Sequence, residues 1–252
     1  MKNTVYIMAK QHPVHPPELF GAYVANHFID TYKHIHIATV TVKTHRWTRM
    51  EVSGKPHPHA FLRDGSETRN SVVTATEGSG TSIRSAIAGL LVLKSTGSAF
   101  HDFVRNEYTT LPDVYDRILS TEVDAGWTWK TFGTIQDIES VAENFDSAWD
   151  SARTITLETF ATDSSASVQN TMYKTCEQIL SAVPYVNAVD YSLPNKHYFE
   201  IGMFLAMDSL RKTADNGLDL SWHKGLKNTG KDAEVYAPQT DPNGLIQCTV
   251  TR

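Results

Sequence analysis

Apolar residues recur at helical spacing along some stretches of the chain and alternate along others. Leu19, Phe20, Tyr23, Val24 and Phe28 share one helical face, so the spacing predicts an amphipathic helix over Glu18 to Lys33, entered through Pro16 and Pro17. Phe145, Ala148, Trp149, Ala152 and Ile155 define a second helix. Val168, Met172, Cys176, Ile179, Leu180 and Val183 define a third, with Ser165 or Ser167 as its N-cap. Ile35 to Trp47, rich in β-branched residues, reads as a long strand, broken at Ser53-Gly54-Lys55-Pro56 and returning over Asn70 to Thr76. Leu90 to Leu93 and Val123 to Trp129 read as two more strands, the latter with Val123, Ala125, Trp127 and Trp129 on one face. Met1 to Lys10 is ambiguous: Val5 and Ile7 alternate as in a strand, and a helix stays open.

Towards the C-terminus, Tyr191 to Ile201 has a period of two that puts Asn195, His197, Phe199 and Ile201 on one strand face. A last strand, Leu245 to Val250, follows the turn Asp241-Pro242-Asn243-Gly244. The second half thus reads strand, strand, helix, helix, strand, strand. The first half reads helix or strand, helix, strand, strand, as if it lacked an opening pair. Hairpin following hairpin predicts an α+β fold, an antiparallel sheet with helices on one face. Gly78-Ser79-Gly80 marks a turn and the expected boundary between domains at residues 1–78 and 79–252.

Composition changes this picture mainly by exclusion. With 40% hydrophobic and 20% charged residues the chain has the makeup of a globular protein with a real core. A net charge of -5 and no Lys/Arg cluster leave no electrostatic footprint for a nucleic-acid partner. No apolar run is long enough to span a membrane, and the first ten residues do not resemble a signal peptide. The 2 cysteines, Cys176 and Cys248, lie far apart in sequence and form neither a disulfide framework nor a metal quartet.

Candidate chemistry is sparse when judged by residue type alone. Asn195 and His197, an amide and an imidazole side by side, suit a small polar molecule and a proton transfer, or else a satisfied core histidine beside a polar edge. The helix start at Val168-Gln169 offers unpaired N–H groups to an anion, and Gln169 adds a donor and an acceptor. Arg117, just before a strand, offers a planar fork. By spacing alone each is as readily a capping or surface residue, and Phe100 is core by default. His57-Pro58-His59 invites a metal, but no further ligand completes a site at recognisable spacing. His45-Arg46-Trp47-Thr48-Arg49 is a single basic, aromatic patch that fits a structural or interface role. No Gly-rich phosphate loop, nucleophile elbow or zinc signature is present.

Longer runs carry a resemblance. Pro16-Pro17-Glu18-Leu19-Phe20-Gly21, His45 to Met50, Gly54 to His59, Val92 to Thr96, Glu107 to Leu111, Ser165 to Tyr173, Ser192 to Ile201 and Asp219 to Gly225 together resemble urate oxidases (uricases), the fungal enzymes in particular. The resemblance covers nearly the whole chain. It implies tandem T-fold domains, each an antiparallel sheet carrying two helices, assembled as a homotetrameric barrel with active sites between subunits. It also makes Met1 to Lys10 a helix. The implied reaction oxidises urate with O2 and water to 5-hydroxyisourate and hydrogen peroxide, in purine degradation, without metal or organic cofactor. By resemblance, Arg117 and Gln169 grip the polar edges of urate, helped by the Val168 N–H, and Phe100 stacks on the ring. Asn195 holds dioxygen or the attacking water, and His197 serves a proton relay.

Three departures from the family are expected to matter. Its opening strand pair, with a relay lysine and a threonine–aspartate pair, has no counterpart within residues 1–252, which implies weak or absent turnover for a chain of this extent, or a non-catalytic purine-binding remnant. Gly202 to Leu218 has no family counterpart and interrupts a continuous strand. It reads as a retained intron, since a Gly-Met pair can be encoded with the usual bases of a fungal intron start. Finally, the chain ends at Thr251-Arg252 rather than in a Ser-Lys-Leu type address, so peroxisomal location comes from resemblance alone.

Overall fold

A computed structural model of the chain describes residues 1–200, 218–220, 226–228 and 232–252. The interrupting segment falls outside the described residues except for Leu218. Two helices open the chain, α1 (Lys2–Gln11) and α2 (Pro17–Thr31). Three antiparallel strands then run on from one another: β1 (Ile37–Val52), β2 (Lys55–Thr76) and β3 (Gly80–Lys94). After a long loop come β4 (Leu119–Trp129) and three helices, α3 (Ile135–Glu139), α4 (Ala142–Thr162) and α5 (Val168–Ala182). The chain returns to the sheet in β5 (Val186–Lys196) and closes with β10 (Leu245–Thr251). Between these last two lie the short strands β6 (Tyr198–Glu200), β7 (Leu218–Leu220), β8 (Leu226–Asn228) and β9 (Tyr236–Pro238).

The main sheet has 6 strands in the order β1-β2-β3-β4-β5-β10, every neighbouring pair antiparallel. The α+β expectation therefore holds. One face packs against the helices around Val73, Ile83, Ile87, Trp127, Trp129, Phe145, Met172, Ile179 and Val189, all buried. The other carries Lys43, Arg84, Asp124, Asp190 and Ser192. Helix α2 lies close on β2: a Cβ added at Gly21 would sit 2.8 Å from the Val73 Cγ2, so only glycine permits the approach. Within the core, Trp129 meets Phe145 edge-on at 4.7 Å.

One polar chain runs through this core. The Trp129 indole donates to Ser85 Oγ at 3.0 Å, and Ser85 donates to Glu18 Oε1 at 2.7 Å. Arg69 Nη2 donates to Glu18 Oε2 at 2.8 Å, and Arg69 Nη1 reaches Asp146 at 2.5 Å. Glu18 has no exposed surface, so its charge is held entirely by these partners.

Several expectations need correction. Met1 to Lys10, left open between strand and helix by its spacing and made a helix by the resemblance, is indeed helical from Lys2, whereas the strand bounds change. Strands β1 and β2 run on past Trp47 and start well before Asn70, respectively, over residues exposed on both faces that show no period of two. Only Leu90 to Leu93 of β3 was legible, because a bulge at Ala88–Gly89 inverts the inward parity: Ile83, Ser85 and Ile87 point inward before it, Leu90 and Val92 after it. Gly89 makes the bulge with a φ of 70°, its N–H donating to Asp124 and its carbonyl accepting from Ser66. The turn at Gly78 is present, and the sheet runs unbroken across it, Thr76 facing Gly80.

Candidate functional site

Most of the candidate residues gather at one end of the sheet, where β4 begins and β5 ends. Ser120 pairs with Lys196 and Thr121 with Asn195, so Arg117, just ahead of β4, and His197, just past β5, leave neighbouring strands at the same end. Helix α5 is brought to this end by its first residue. Val168 is buried, in a small apolar pocket with Leu119, Thr121, Tyr191 and Leu193. Ser167 is the N-cap, accepting from the Asn170 N–H at 3.2 Å. The Val168 and Gln169 N–H groups, as the first of the helix, have no intrahelical acceptor.

Phe100 arrives through the loop between β3 and β4. Ala99 N–H donates to Ser165 O at 2.9 Å, which lashes the loop beside the start of α5, and Phe100 exchanges both backbone hydrogen bonds with Val114. Asp116 fastens the same loop: its carboxylate accepts from Thr96 Oγ1 at 2.5 Å and from the Gly97 N–H at 2.7 Å. The Thr96 hydrogen bond, with backbone donors adding to it, holds that carboxyl below its ordinary range. Asp116→Asn is expected to speed hydrogen exchange at the Gly97 amide. Acidification should do the same, since the hold is full above the ordinary carboxylate range and is lost as pH falls through the lowered value. Unchanged exchange in the variant would remove Asp116 from this role.

Arg117 is the unusual charge. It is half-buried, and burial lowers its affinity for its proton. Its buried Nε has no hydrogen-bond partner among the described residues. Arg69 Nε is likewise without a partner, but Arg69, Arg84 and Arg153 each pair with a carboxylate, and no ion pair involves Arg117 among the described residues. The Arg117 guanidinium lies 5.5 Å from the centre of the Phe100 ring. A desolvated cation beside an aromatic face, with a donor unspent, is suited to a planar anion.

Asn195 and His197 require a correction. They do not lie along one continuous strand face, because β5 stops at Lys196 and β6 pairs with β9 in a separate sheet. The cause is a change of backbone partner. β10 pairs with β5 only as far as Leu245 facing Pro194; beyond it, Asn195 N–H donates to Gly244 O at 2.9 Å and Asn243 N–H donates to Asn195 O at 3.0 Å. His197 is held by the same turn: its Nε2 donates to the Asn243 carbonyl at 3.1 Å. Since a carbonyl only accepts, that bond leaves Nδ1 of the neutral ring to take a proton. Ile201 lies outside the described residues.

The structure thus puts Phe100 against Arg117, seats Val168 beside the strands that carry Arg117 and Asn195, and joins Asn195 to His197 through Asn243. Gln169 is exposed on the first turn of α5, and no hydrogen bond joins it to the others among the described residues. Phe103, stacked on Phe100 at 4.7 Å, and Asn243 were not singled out from sequence. The pairing of Leu245 with Pro194 was the signal for Asn243, since it puts the turn beside Asn195. His57 and His59 lie ring to ring at 4.6 Å. Among the described residues no cluster of three or more His, Cys, Asp or Glu could hold a metal, and no helix is long and apolar enough to cross a membrane.

An antiparallel sheet backed by helices defines an α+β protein, and one end of that sheet carries an arginine with no carboxylate partner among the described residues, an aromatic face and an imidazole. Comparison with known proteins makes this specific. The family model described as Uricase matches residues 1–74 and 83–247. A uricase from Emericella nidulans is 58% identical over the full chain, and one from Aspergillus flavus 57%, the chain spanning 78% of each. The crystal structure of uricase from Arthrobacter globiformis superposes with a TM-score of 0.78 at 32% identity, over all of this chain and 75% of the other. The chain belongs to the uricase family. It has the T-fold architecture of that family, and its function is that of an oxidoreductase acting on urate.

Proposed function

We propose that urate lies in the slot between Arg117 and the start of α5, flat against Phe100. The observation that carries this is Arg117, a desolvated guanidinium over an aromatic ring with a buried donor unspent. Arg117 and Gln169 grip opposite polar edges of the purine, and the Val168 N–H adds a donor at the positive end of the helix. Oxidation of urate by O2 and water to 5-hydroxyisourate and hydrogen peroxide then needs an electron-rich urate anion, a held oxygen or water, and a base. The Arg117 charge stabilises the anion. Asn195, fixed by two backbone hydrogen bonds, positions dioxygen or the attacking water over the ring. His197 accepts a proton at Nδ1 while Asn243 fixes its orientation. This reading assigns the reaction no metal or organic cofactor.

The same reading extends to the assembly. The chain works as a homotetramer in the peroxisome, with residues 1–78 and 79–252 as tandem T-fold units and the short strands β6 to β9 belonging to the second.

The test separates binding from turnover. His197→Ala is expected to lower the rate of urate loss and peroxide release by about 100-fold or more while urate binding changes less than about threefold. Equal losses in binding and rate would move His197 from the relay to the binding slot. A parent chain that binds a urate analogue without consuming urate would point to a purine-binding protein instead.

A further inference from the structure

The crossing from α4 to α5, residues 163–167, is pinned on both sides. Towards α5, the Asp163 carboxylate lies 2.6 Å from Thr171 Oγ1 and 2.9 Å from Lys174 Nζ. Thr171 Oγ1 in turn lies 2.7 Å from Ser165 Oγ. Ser165 and Thr171 are buried, and the Asp163 side chain is 15% exposed. Towards the sheet, Lys94, the last residue of β3, donates from Nζ to the Asp163 carbonyl at 2.9 Å. The Ser165 N–H donates to Gly97 O at 3.1 Å, and the Ser165 carbonyl accepts from the Ala99 N–H at 2.9 Å.

Elementary chemistry gives this cluster a direction. Thr171 has a single hydroxyl proton. A carboxylate only accepts, so that proton goes to Asp163, and the Ser165 hydroxyl gives its own to the Thr171 oxygen. The Thr171 hydrogen bond, outweighing burial and helped by Lys174, holds the Asp163 carboxyl below its ordinary range and keeps it an acceptor. Ser165 therefore turns its side chain to α5 while its backbone bridges Ser98 in the loop between β3 and β4. Phe100 follows closely after Ser98, and Val168 and Gln169 follow closely after Ser165.

We propose that Asp163, acting through Thr171 and Ser165, is a positioning residue that fixes the separation of Phe100 from the first turn of α5, and with it the fit of a flat purine anion between them. The proposal rests on the reading of that slot as the urate site. Removing one hydroxyl of the chain leaves its buried neighbour without a partner. The readiest relief is to open the crossing to water, which draws Ser165 away from Ala99 and Phe100 away from α5.

The experiment pairs calorimetric titration with urate under nitrogen, which needs no turnover, with hydrogen exchange at the Ala99 amide, which needs no urate. In Thr171→Val the urate Kd is expected to rise about tenfold or more at an unchanged number of sites. Exchange at Ala99 is expected to quicken by at least about tenfold. Thr171→Ser keeps the hydroxyl and should return both to within about threefold of the parent. Ser165→Ala breaks the same chain one hydroxyl further on and should shift both in the same direction as Thr171→Val, which keeps the test open if Thr171→Val does not fold. Thr175→Val is the control: it removes a buried hydroxyl that bonds only the Thr171 carbonyl, and should leave the Kd within about twofold. A merely structural role would lower the number of sites and leave the Kd of the folded fraction alone. That result, unchanged Ala99 exchange, or an equal shift of Kd in Thr175→Val would overturn the proposal. A parent that takes up no urate would instead overturn the urate reading, and the exchange measurement would still decide whether Asp163 holds the loop through Thr171 and Ser165.

Discussion

Glu18→Ala is expected to destabilise the fold by about 3–5 kcal/mol, a melting-temperature loss of about 6–20 °C for a chain of this size. The size of the effect comes from what is left behind. Glu18 is fully buried on α2 and accepts from Arg69 on β2 and Ser85 on β3. Removing it leaves Arg69 nearly buried with only the half-exposed Asp146 to balance its charge, and strips Ser85 of the acceptor for its hydroxyl. The comparison is Glu77→Ala, whose partner His36 is as exposed as Glu77 itself, and which should shift stability by less than about 0.5 kcal/mol. Adding Arg69→Met to Glu18→Ala should recover part of the loss, because it removes the stranded charge. Thermal melts of the four proteins decide it. A Glu18→Ala melting within about 2 °C of the parent would mean that the pair contributes little.

Arg117→Ala is expected to act in the opposite sense on the two properties. Urate affinity should fall about 100-fold, roughly 2.7 kcal/mol, since the proposed slot loses its charge and its planar donors. Stability should hold or rise, because the variant no longer buries a guanidinium nitrogen without an acceptor. A structural arginine would show loss of both. Arg117→Lys should restore less than about tenfold of the affinity, since an ammonium cannot present a fork to a planar anion. Calorimetric titration with urate, set beside thermal melts, reads both arms. Unchanged affinity in Arg117→Ala would sink the proposed slot.

How much of this was legible depended on where periodicity survived. Helices α2, α4 and α5 were readable because their apolar stripes are long and face one core. Strand β4 was readable from Val123, Ala125, Trp127 and Trp129, all buried. Strand β3 was not, because its bulge breaks the period of two at Gly89. Helix α1 buries only Met8, so ten residues carry almost no inward signal. In the candidate site, residue type suggested Arg117 as a fork and His197 as a base. Their surroundings were not legible, because they depend on loops. The 96–118 loop brings Phe100 to Arg117, and the turn at Asn243–Gly244 takes Asn195 and His197 away from β10. Both are fixed by backbone hydrogen bonds that leave no periodic trace.

The bulge in β3 also constrains how this chain can vary in length. The extra residue at Gly89 acts as a half-period phase shift, so the two ends of β3 are out of step with each other and in step with the core. Deleting one residue there would restore an uninterrupted alternation and keep Leu90 and Val92 inward, in step with Ile83, Ser85 and Ile87. Deleting two would invert the parity, turning Leu90 and Val92 outward while Leu91 and Leu93 enter the space beneath the helices. Homologous chains should therefore either keep the bulge or lose its single extra residue, rather than differ by two residues at this point of β3.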